Sequence, residues 1–330
     1  MWYTAFGPFG DIVLSSRVRL ARNIAHIPFG SRMTEKNHTE VIERTVSAIP
    51  QMKYIDFSIL SKTERQALSE CHLTSPAMIE KKEKCGILVS DDCTECIMLC
   101  EEDHIRIQAM APGFDLDNCF QKANRIDDKL EETIDFGFHK DFGYLTCCPT
   151  NVGTAMRASV MMHLPALTAS GRIDGIIRSL SKLGVTIRGI YGEGSRAQGN
   201  IYQISNQVTL GSSEEEIIEK LKQLLTEIIE KERALQSEIY NQDKFRFEDN
   251  VMSSFGILTN ARILSSSETA NLLSDVRWGI NLGIIKNISL ENLSTVFYDT
   301  LPATLIKNYN LTTALERDIK RAELICEKLK

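Results

Sequence analysis

The sequence has 330 residues, with 38 Lys and Arg against 44 Asp and Glu, and 43% of its residues are apolar. These values are typical of globular proteins and exclude collagen-like, low-complexity and disordered classes. The net charge of −6 does not favour nucleic acid as the main partner. No apolar run approaches the ~18 residues of a membrane span, and the N-terminus lacks a signal-peptide pattern, so we expect a cytoplasmic protein with no membrane partner.

A first strand is predicted at residues 11–20. Side chains alternate between the two faces of a strand, so Val18 and Leu20 lie on one face and Ser15, Arg17 and Arg19 on the other. Two guanidinium groups therefore project side by side.

Residues 96–107 are interpreted as a second strand. The same alternation puts Glu102, His104 and Arg106 on one face, opposite Leu99 and Ile105. A carboxylate and an arginine are then four residues apart on a strand flanked by apolar residues.

The nine cysteines are an odd number spread through apolar segments, which is typical of a reducing compartment. Four of them are candidate zinc thiolates (Cys85, Cys93, Cys96 and Cys100), but alternate strand residues face opposite sides and no second C-x-x-C follows, so buried structural thiols are favoured. Cys148 differs, because it lies in a turn rich in Pro, Gly and hydroxyl residues before Arg157, whose charge would favour a thiolate. From these residues alone, a functional and an inert thiol are equally favoured for Cys148.

A third strand is predicted at residues 185–191, which carry Arg188 and run into a glycine-containing turn. The pattern Gly192-x-Gly194-x-x-Ala197 matches a dinucleotide-binding fingerprint. However, residues 198–210 alternate like a strand where that fingerprint requires a helix, so a dinucleotide site is disfavoured.

The remainder of the chain is helical in pattern. The run at 212–216 offers N-caps and capping boxes, and apolar residues then recur at helical spacing, which predicts a long helix from about 213 to 240. Two further helix starts are predicted at 267–269 and 313–316. We therefore predict a first domain at 11–240 and a small helical domain at 241–330.

Five arginines lie on or beside these predicted strands: Arg17, Arg19, Arg106, Arg157 and Arg188. An arginine cannot lose its charge, and a structural ion pair is the usual explanation for any single one of them. Five together favour a polyphosphate ligand, because the planar guanidinium group fits phosphate oxygens. No Walker loop is present, and Asp141-Phe142-Gly143 has no preceding H-R-D, so the protein-kinase motif set is absent.

Four segments resemble the phosphagen (guanidino) kinase family, and most closely its bacterial protein-arginine kinase branch. They are SSRVRLARN at 15–23, EEDHIR at 101–106, CPTNVGT at 148–154 with Arg157-Ala158-Ser159, and RGIYGE at 188–193. The resemblance covers about 11–330 and implies an α+β fold: an antiparallel sheet of the glutamine-synthetase type flanked by helices, then a small helical domain. Small-molecule members carry an additional N-terminal helical domain, so this short N-terminus favours an open site and a protein arginine as acceptor.

The resemblance also implies an ATP site in which the arginines bind phosphates and His72 lies near the adenine. The expected ATP-binding residues are Ser15, Ser16, Arg17, Val18, Arg19, His72, Arg106, Arg157, Ala158, Ser159, Val160, Met161, Arg188, Gly189, Ile190, Tyr191, Gly192 and Glu193. Mg²⁺ would bridge the ATP phosphates, and no protein metal ligand is predicted.

For the acceptor, the resemblance implies that Glu102 and Glu193 hold a guanidinium group beside Cys148. A guanidinium with a pKa above ~12 is a poor nucleophile until it is oriented and loses a proton. We assign Glu102 as the general base, Glu193 as the orienting carboxylate and Cys148 as a source of negative charge.

Near the C-terminus, Arg317, Asp318, Arg321 and Ala322 match an RDxxRA motif that, in the family, forms an allosteric phosphoarginine pocket. Without the resemblance, this pattern would be an ordinary solvated helix face. The resemblance further implies a homodimer formed through the helical domain and protein substrates bound through arginine, with a stress-response repressor as one candidate. It also implies a zinc-containing activator protein and a Clp unfoldase or protease as partners.

Two positions depart from the family pattern. Cys100 stands where Asn is usual, and Arg196 stands where relatives often carry an acid. The predicted function is ATP-dependent protein-arginine phosphorylation linked to Clp-dependent degradation. Two alternatives stay open. One is a kinase of free arginine or another small guanidine. The other is a degenerate kinase that only binds phosphoarginine, and Arg196 is the residue that supports this alternative.

Overall fold

The computed structural model describes residues 1–189 and 198–330. Ten strands lie within these ranges: β1 (Val13–Arg22), β2 (Lys53–Asp56), β3 (Gly86–Val89), β4 (Glu95–Leu99), β5 (Ile105–Pro112), β6 (Phe138–His139), β7 (Gly143–Tyr144), β8 (Met156–His163), β9 (Val185–Gly189) and β10 (Ile201–Asn206). Eight of them form one sheet in the order β2-β3-β4-β5-β1-β8-β10-β9, with every pairing antiparallel. The remaining two, β6 and β7, form a small hairpin.

Twelve helices are described around and after the sheet: α1 (Glu35–Ala48), α2 (Lys62–Glu70), α3 (Pro76–Ile79), α4 (Leu116–Glu131), α5 (Pro165–Ala169), α6 (Ile173–Lys182), α7 (Glu214–Gln242), α8 (Lys244–Asn260), α9 (Ser266–Asn281), α10 (Leu290–Asp299), α11 (Pro302–Tyr309) and α12 (Ala314–Leu329). The predicted fold class, an antiparallel sheet flanked by helices with a helical C-terminal part, is confirmed. None of the described helices is long and apolar enough to cross a membrane.

The capping residues place the helices where the sequence predicts them. Ser213 caps α7 and forms a capping box with Glu216, and Thr313 does the same with Glu316 at α12. At α9, the Ser265 side chain accepts a hydrogen bond from the backbone N–H of Glu268. Reciprocal caps of this kind satisfy backbone donors that a helix start leaves unpaired, which explains why these starts were recognisable.

Residues 96–107 do not form one strand, so that prediction is wrong. Strand β4 ends at Leu99, the chain turns through residues 100–104, and β5 returns antiparallel with Leu99 opposite Ile105. The turn contains Cys100 at a φ of 56° and closes with a 2.8 Å hydrogen bond from Cys100 N to His104 O. His104 consequently points into the core and bonds the backbone of residues 24 and 28, away from Arg106.

The core has two parts. The larger cluster of buried apolar side chains lies between the sheet and the helices of the first part of the chain, and a second cluster joins Val251, Leu273 and Ile325 within the C-terminal helices. The break between α7 and α8 at residue 243 falls near the predicted boundary at 240. We retain that two-domain division as a proposal.

Candidate active site

One face of the sheet carries all five predicted arginines. Strand register aligns Arg19 with Gln108 on β5 and with Arg157 on β8, and aligns Gln203 on β10 with Arg188 on β9. Residues directly opposite each other in an antiparallel pair share a face. The first-strand alternation is therefore confirmed, and it extends across five neighbouring strands.

These arginines repel one another. Burial, followed by the charges of Arg157 and Arg106, lowers the pKa of Arg17 to about 10, and burial beside Arg17 lowers the pKa of Arg19 as well. Arg17 bonds neutral groups, with Nη2 donating to Gln203 Oε1 at 3.0 Å. Nε of Arg19 is buried without a hydrogen-bond partner among the described residues. A face with this excess of positive charge is suited to a polyanion.

The face forms the floor of a cleft of about 680 Å³. Five arginines line it: four belong to the floor (Arg17, Arg19, Arg157 and Arg188), and Arg317 comes from α12. The walls are more apolar and include His72, Ile79, Phe297, Tyr298, Leu301, Pro302 and Ile306. A cationic floor beside an aromatic wall fits a nucleoside polyphosphate, and the C-terminal helices α10 and α11 supply much of that wall.

The first residues of the chain pack against the aromatic wall from behind the cleft. Trp2 is buried, its indole N–H donates to Cys71 O at 3.2 Å, and its ring lies 5.0 Å from Tyr298 and 5.8 Å from His72. Burial, with Arg17 and Arg19 nearby, lowers the pKa of His72 to about 3, so its ring is neutral at physiological pH. The wall therefore offers an uncharged ring to a nucleobase.

A carboxylate joins the two parts of the chain at the cleft. Glu70, at the end of α2, accepts hydrogen bonds from Ala303 N and Thr304 N, each at 2.8 Å, and from Thr304 Oγ1 at 2.9 Å. The carboxylate thus caps the N-terminus of α11, where unpaired N–H groups and the helix dipole favour negative charge. Because Glu70 and Ala303 both line the cleft, this cap holds its outer wall in place.

At the other end of the arginine face, Arg106 lies between two carboxylates. Its Nη1 is 2.7 Å from Glu101 Oε2, and its Nη2 is 3.1 Å from Glu102 Oε2. Glu101 is almost fully buried, whereas 46% of the Glu102 side chain is exposed. Burial opposes the charge of Glu101, but Arg106 and hydrogen bonds from Ser75 and Glu102 N outweigh it and lower its pKa. Glu102 is thus held by Arg106 yet open to an acceptor.

The turn that carries Glu102 is tied to the loop that carries Cys148. Asp103 is buried, and its Oδ1 accepts from Asn23 Nδ2 and from Cys147 N, each at 2.7 Å. Cys148 lies near Arg157, whose pKa is lowered mainly by burial and by Arg188, with Cys148 and Glu102 acting in the opposite direction. Glu102 and Cys148 therefore both lie toward one end of the arginine face.

The structure does not bring together every expected ATP-binding residue. Ser16, Val18, Ala158 and Val160 alternate to the opposite face and are buried in the core, whereas Ser15, Ser159 and Met161 lie on the arginine face. Gly189 lines the cleft. The predictions for Ile190, Tyr191, Gly192 and Glu193, and the position of Arg196, lie outside the described residues.

The RDxxRA residues separate into two environments. Arg317 lines the outer part of the cleft. Arg321 is buried and donates to Thr300 O, Leu264 O and Asp318, and Ala322 is fully buried. The phosphoarginine pocket stays a prediction, in which Arg317 and Asp318 are the accessible members.

Sequence reasoning missed Glu101, Gln203, Trp2 and the aromatic wall of α10. The acidic run at 101–103 and the aromatic N-terminus were visible signals, but only the tertiary contacts show what they touch. Among the described residues, no group of three or more His, Cys, Asp or Glu side chains could hold a metal ion.

Two family models match the chain. The model "ATP:guanido phosphotransferase, C-terminal catalytic domain" matches residues 33–235, and "Protein-arginine kinase McsB C-terminal domain" matches residues 244–330. The chain belongs to the ATP:guanido phosphotransferase family. The resemblance to guanidino kinases is thus confirmed, and membership implies ATP as the phosphate donor.

Several relatives that match nearly the whole chain are named protein-arginine kinase. This chain is 47% identical to a protein-arginine kinase of Caldanaerobacter subterraneus subsp. tengcongensis over 97% of both chains. It is 46% identical to a protein-arginine kinase of Bacillus subtilis, over 99% of this chain and 93% of that one. The crystal structure of a lombricine kinase matches with a TM-score of 0.62 and 25% identity, covering 69% of this chain and 68% of that one.

Proposed function

We propose that this chain is a protein-arginine kinase, which transfers the γ-phosphoryl group of MgATP to a guanidino nitrogen of arginine side chains in proteins. The observation that carries the proposal is the continuous arginine face, with an aromatic-walled cleft at one end and Glu102 and Cys148 at the other. A phosphate donor and a cationic acceptor would meet along this face.

The arginines supply most of the binding for the donor. Arg17, Arg19, Arg157 and Arg188 would neutralise the phosphate oxygens, and their fixed positions would orient the γ-phosphoryl group toward Glu102. Phosphoryl transfer depends mainly on such positioning and charge neutralisation. Mg²⁺ would enter with ATP, bound by phosphate oxygens, and would add charge neutralisation at the transferred group.

The carboxylates act on the acceptor. Glu102 would hold the substrate guanidinium through paired hydrogen bonds. It would take a proton from the attacking nitrogen as the N–P bond forms and the bond from the γ-phosphorus to the bridging oxygen breaks, which releases ADP. Arg106 fixes the orientation of Glu102, while Cys148 would place a polarisable sulfur beside the same guanidinium. Glu193 stays the proposed second carboxylate.

The proposal is tested by measuring phosphoryl transfer to arginine directly. Purified protein is incubated with MgATP and an arginine-rich protein or, separately, free arginine, followed by mass spectrometry under non-acidic conditions because N-phosphoarginine is acid-labile. We expect phosphate on protein arginines, with at least a ~100-fold loss in Glu102→Gln but retained ATP binding. The exposed Glu43→Gln is the matched control. Phosphate on free arginine alone would favour the small-guanidine kinase, and ATP binding without transfer would favour the degenerate kinase.

The wider cellular assignment belongs to the same proposal. The resemblance supports a homodimer, a zinc-containing activator and a link to Clp-dependent degradation, and the exposed side chains of Phe245, Met252 and Ile257 on α8 suit an interface. All nine cysteines are free, which supports a reducing, cytoplasmic location.

A further inference from the structure

A shallow groove of about 470 Å³ lies beside the loop that carries Cys148. Its sides are the β6–β7 hairpin and the segment that leads into α7, and its floor includes Gly153, Thr154 and Thr209. Gly153 has a φ of 118°, and a Cβ atom there would lie 2.1 Å from Thr209 O. The close backbone approach on the floor therefore requires glycine.

Hydrogen bonds join this floor to the Cys148 loop. Thr209 Oγ1 donates to Thr150 O at 3.1 Å and to Val152 O at 2.8 Å, and Thr154 N donates to Thr209 O at 2.9 Å. Thr150 Oγ1 is itself 3.0 Å from Cys148 Sγ. The groove and the thiol are thus fixed relative to each other.

The groove floor lies at the same end of the sheet as the turn that carries Glu102. Strand β1 ends at Arg22, opposite Ile105, and β8 begins at Met156, opposite Leu20. Glu102 lies in the turn just before β5, and the groove floor lies just before β8. The groove floor and Glu102 therefore lie at the same end of the sheet, and the loop of Cys148 connects the groove with the proposed acceptor site.

The lining is chemically suited to a basic polypeptide. Phe138 is 61% exposed and Phe142 is 53% exposed, far more than apolar side chains in the interior. Three carboxylates line the groove (Asp141, Glu214 and Glu216), and no Lys or Arg is among the described lining residues. The nearby Lys140 does not line it.

We infer that this groove binds the segment of a protein substrate that flanks the target arginine, taking its basic and apolar side chains. The inference rests on the proposed function and specifies its substrate class. The aromatic side chains provide contact area, and the carboxylates select chains with additional positive charge.

The experiment compares two acceptors. One is a 15-residue peptide with a single arginine among lysines and leucines, and the other is N-acetylarginine amide, which is too small to reach the groove. The variants are Phe138→Ser/Phe142→Ser and Asp141→Lys, and the matched control is Ile59→Ser, since Ile59 is 79% exposed and does not line the groove. Melting temperatures establish that each variant is folded.

We expect kcat/KM for the peptide to fall about fivefold or more in both groove variants, as for loss of an interface anchor, with the small acceptor and the KM for ATP unchanged. Equal losses on both acceptors, or an unchanged kcat/KM for the peptide, would overturn the inference. Anisotropy of the labelled peptide measures groove binding without turnover. If wild type binds the peptide but phosphorylates neither acceptor, the proposed function is wrong, whereas the inference that the groove binds a basic peptide is retained.

Discussion

Glu101 Oε2 lies 2.7 Å from Nη1 of Arg106, and the two side chains are only 5% and 13% exposed. The exposed Glu102 contacts the same guanidinium group. Glu101 therefore fixes the position of Arg106, and Arg106 fixes the position of Glu102, the proposed general base. Glu101 is therefore a positioning residue.

Replacing Glu101 with Gln should lower the free energy of unfolding by about 1–3 kcal/mol at pH 7, because a largely buried arginine loses the nearest of its charged partners. The pKa of Glu101 is lowered on folding from 4.5, so its ionised form stabilises the fold above that pH. The difference between wild type and variant should shrink as pH falls below 4.5. Urea unfolding across this range measures it, with Glu95→Gln as the control, whose partner Arg125 is 70% exposed and should matter by at most ~1 kcal/mol.

Replacing Arg19 with Met should stabilise the ATP-free protein while weakening its response to ATP. Arg19 stands directly opposite Arg157, and such like-charge pairs cost about 0.2–1 kcal/mol. Thermal unfolding without nucleotide should show a higher melting temperature than wild type. With MgATP at ~100 times the wild-type Kd, wild type should gain about 2.7 kcal/mol and the variant much less. An exposed-site variant, Arg125→Met, should show neither effect, because its side chain is 70% exposed and does not line the cleft. A lower melting temperature in nucleotide-free Arg19→Met would contradict the repulsion argument.

His72 should make the protein less stable in mild acid. Its folded pKa of about 3 is below its ordinary 6.5, so the unfolded chain binds a proton that the folded chain does not. The unfolding free energy therefore falls as pH drops from 6.5 toward 3, by at most ~1.4 kcal/mol per pH unit from this group. His72→Asn should flatten that slope.

His26→Asn is a closely matched control for His72→Asn. His26 is exposed and, like His72, has a positive φ, 67° against 59°. Asn tolerates that backbone conformation, so neither variant is strained by it. Chemical unfolding at pH 4.5, 5.5 and 6.5 should show a changed slope in His72→Asn and the wild-type slope in His26→Asn.

Trp2 should matter for ATP and not for the acceptor. Trp2→Phe removes the indole donor to Cys71 O and leaves a smaller ring against His72 and Tyr298. We expect the KM for ATP to rise about threefold to tenfold, the scale of one lost hydrogen bond, with the KM for a protein substrate unchanged. Steady-state kinetics with each substrate varied in turn provides the measurement, and an equal rise in both constants would exclude this role.

The alternation of side chains along single segments of the sequence predicted much of the site. The alternation at residues 15–19 correctly put Arg17 and Arg19 on one face, because period-2 patterning depends only on the strand itself. The same rule failed at residues 96–107, where a left-handed residue, Cys100, reverses the chain. Glu102 and Arg106 still meet, but across a turn. Contacts between distant segments, such as Trp2 with Tyr298, carry no periodic signal and were not predictable.

The Glu70 cap on α11 means that both halves of the chain form the proposed nucleotide cleft. A chain shortened to residues 1–240 would keep every arginine of the floor but lose Tyr298, Leu301 and Ile306 from the wall, and would leave the Glu70 carboxylate without its helix. Exchanging C-terminal halves between relatives should therefore alter nucleotide affinity, although no arginine of the cleft floor would change. Residues near the C-terminus are, in this respect, part of the proposed ATP site.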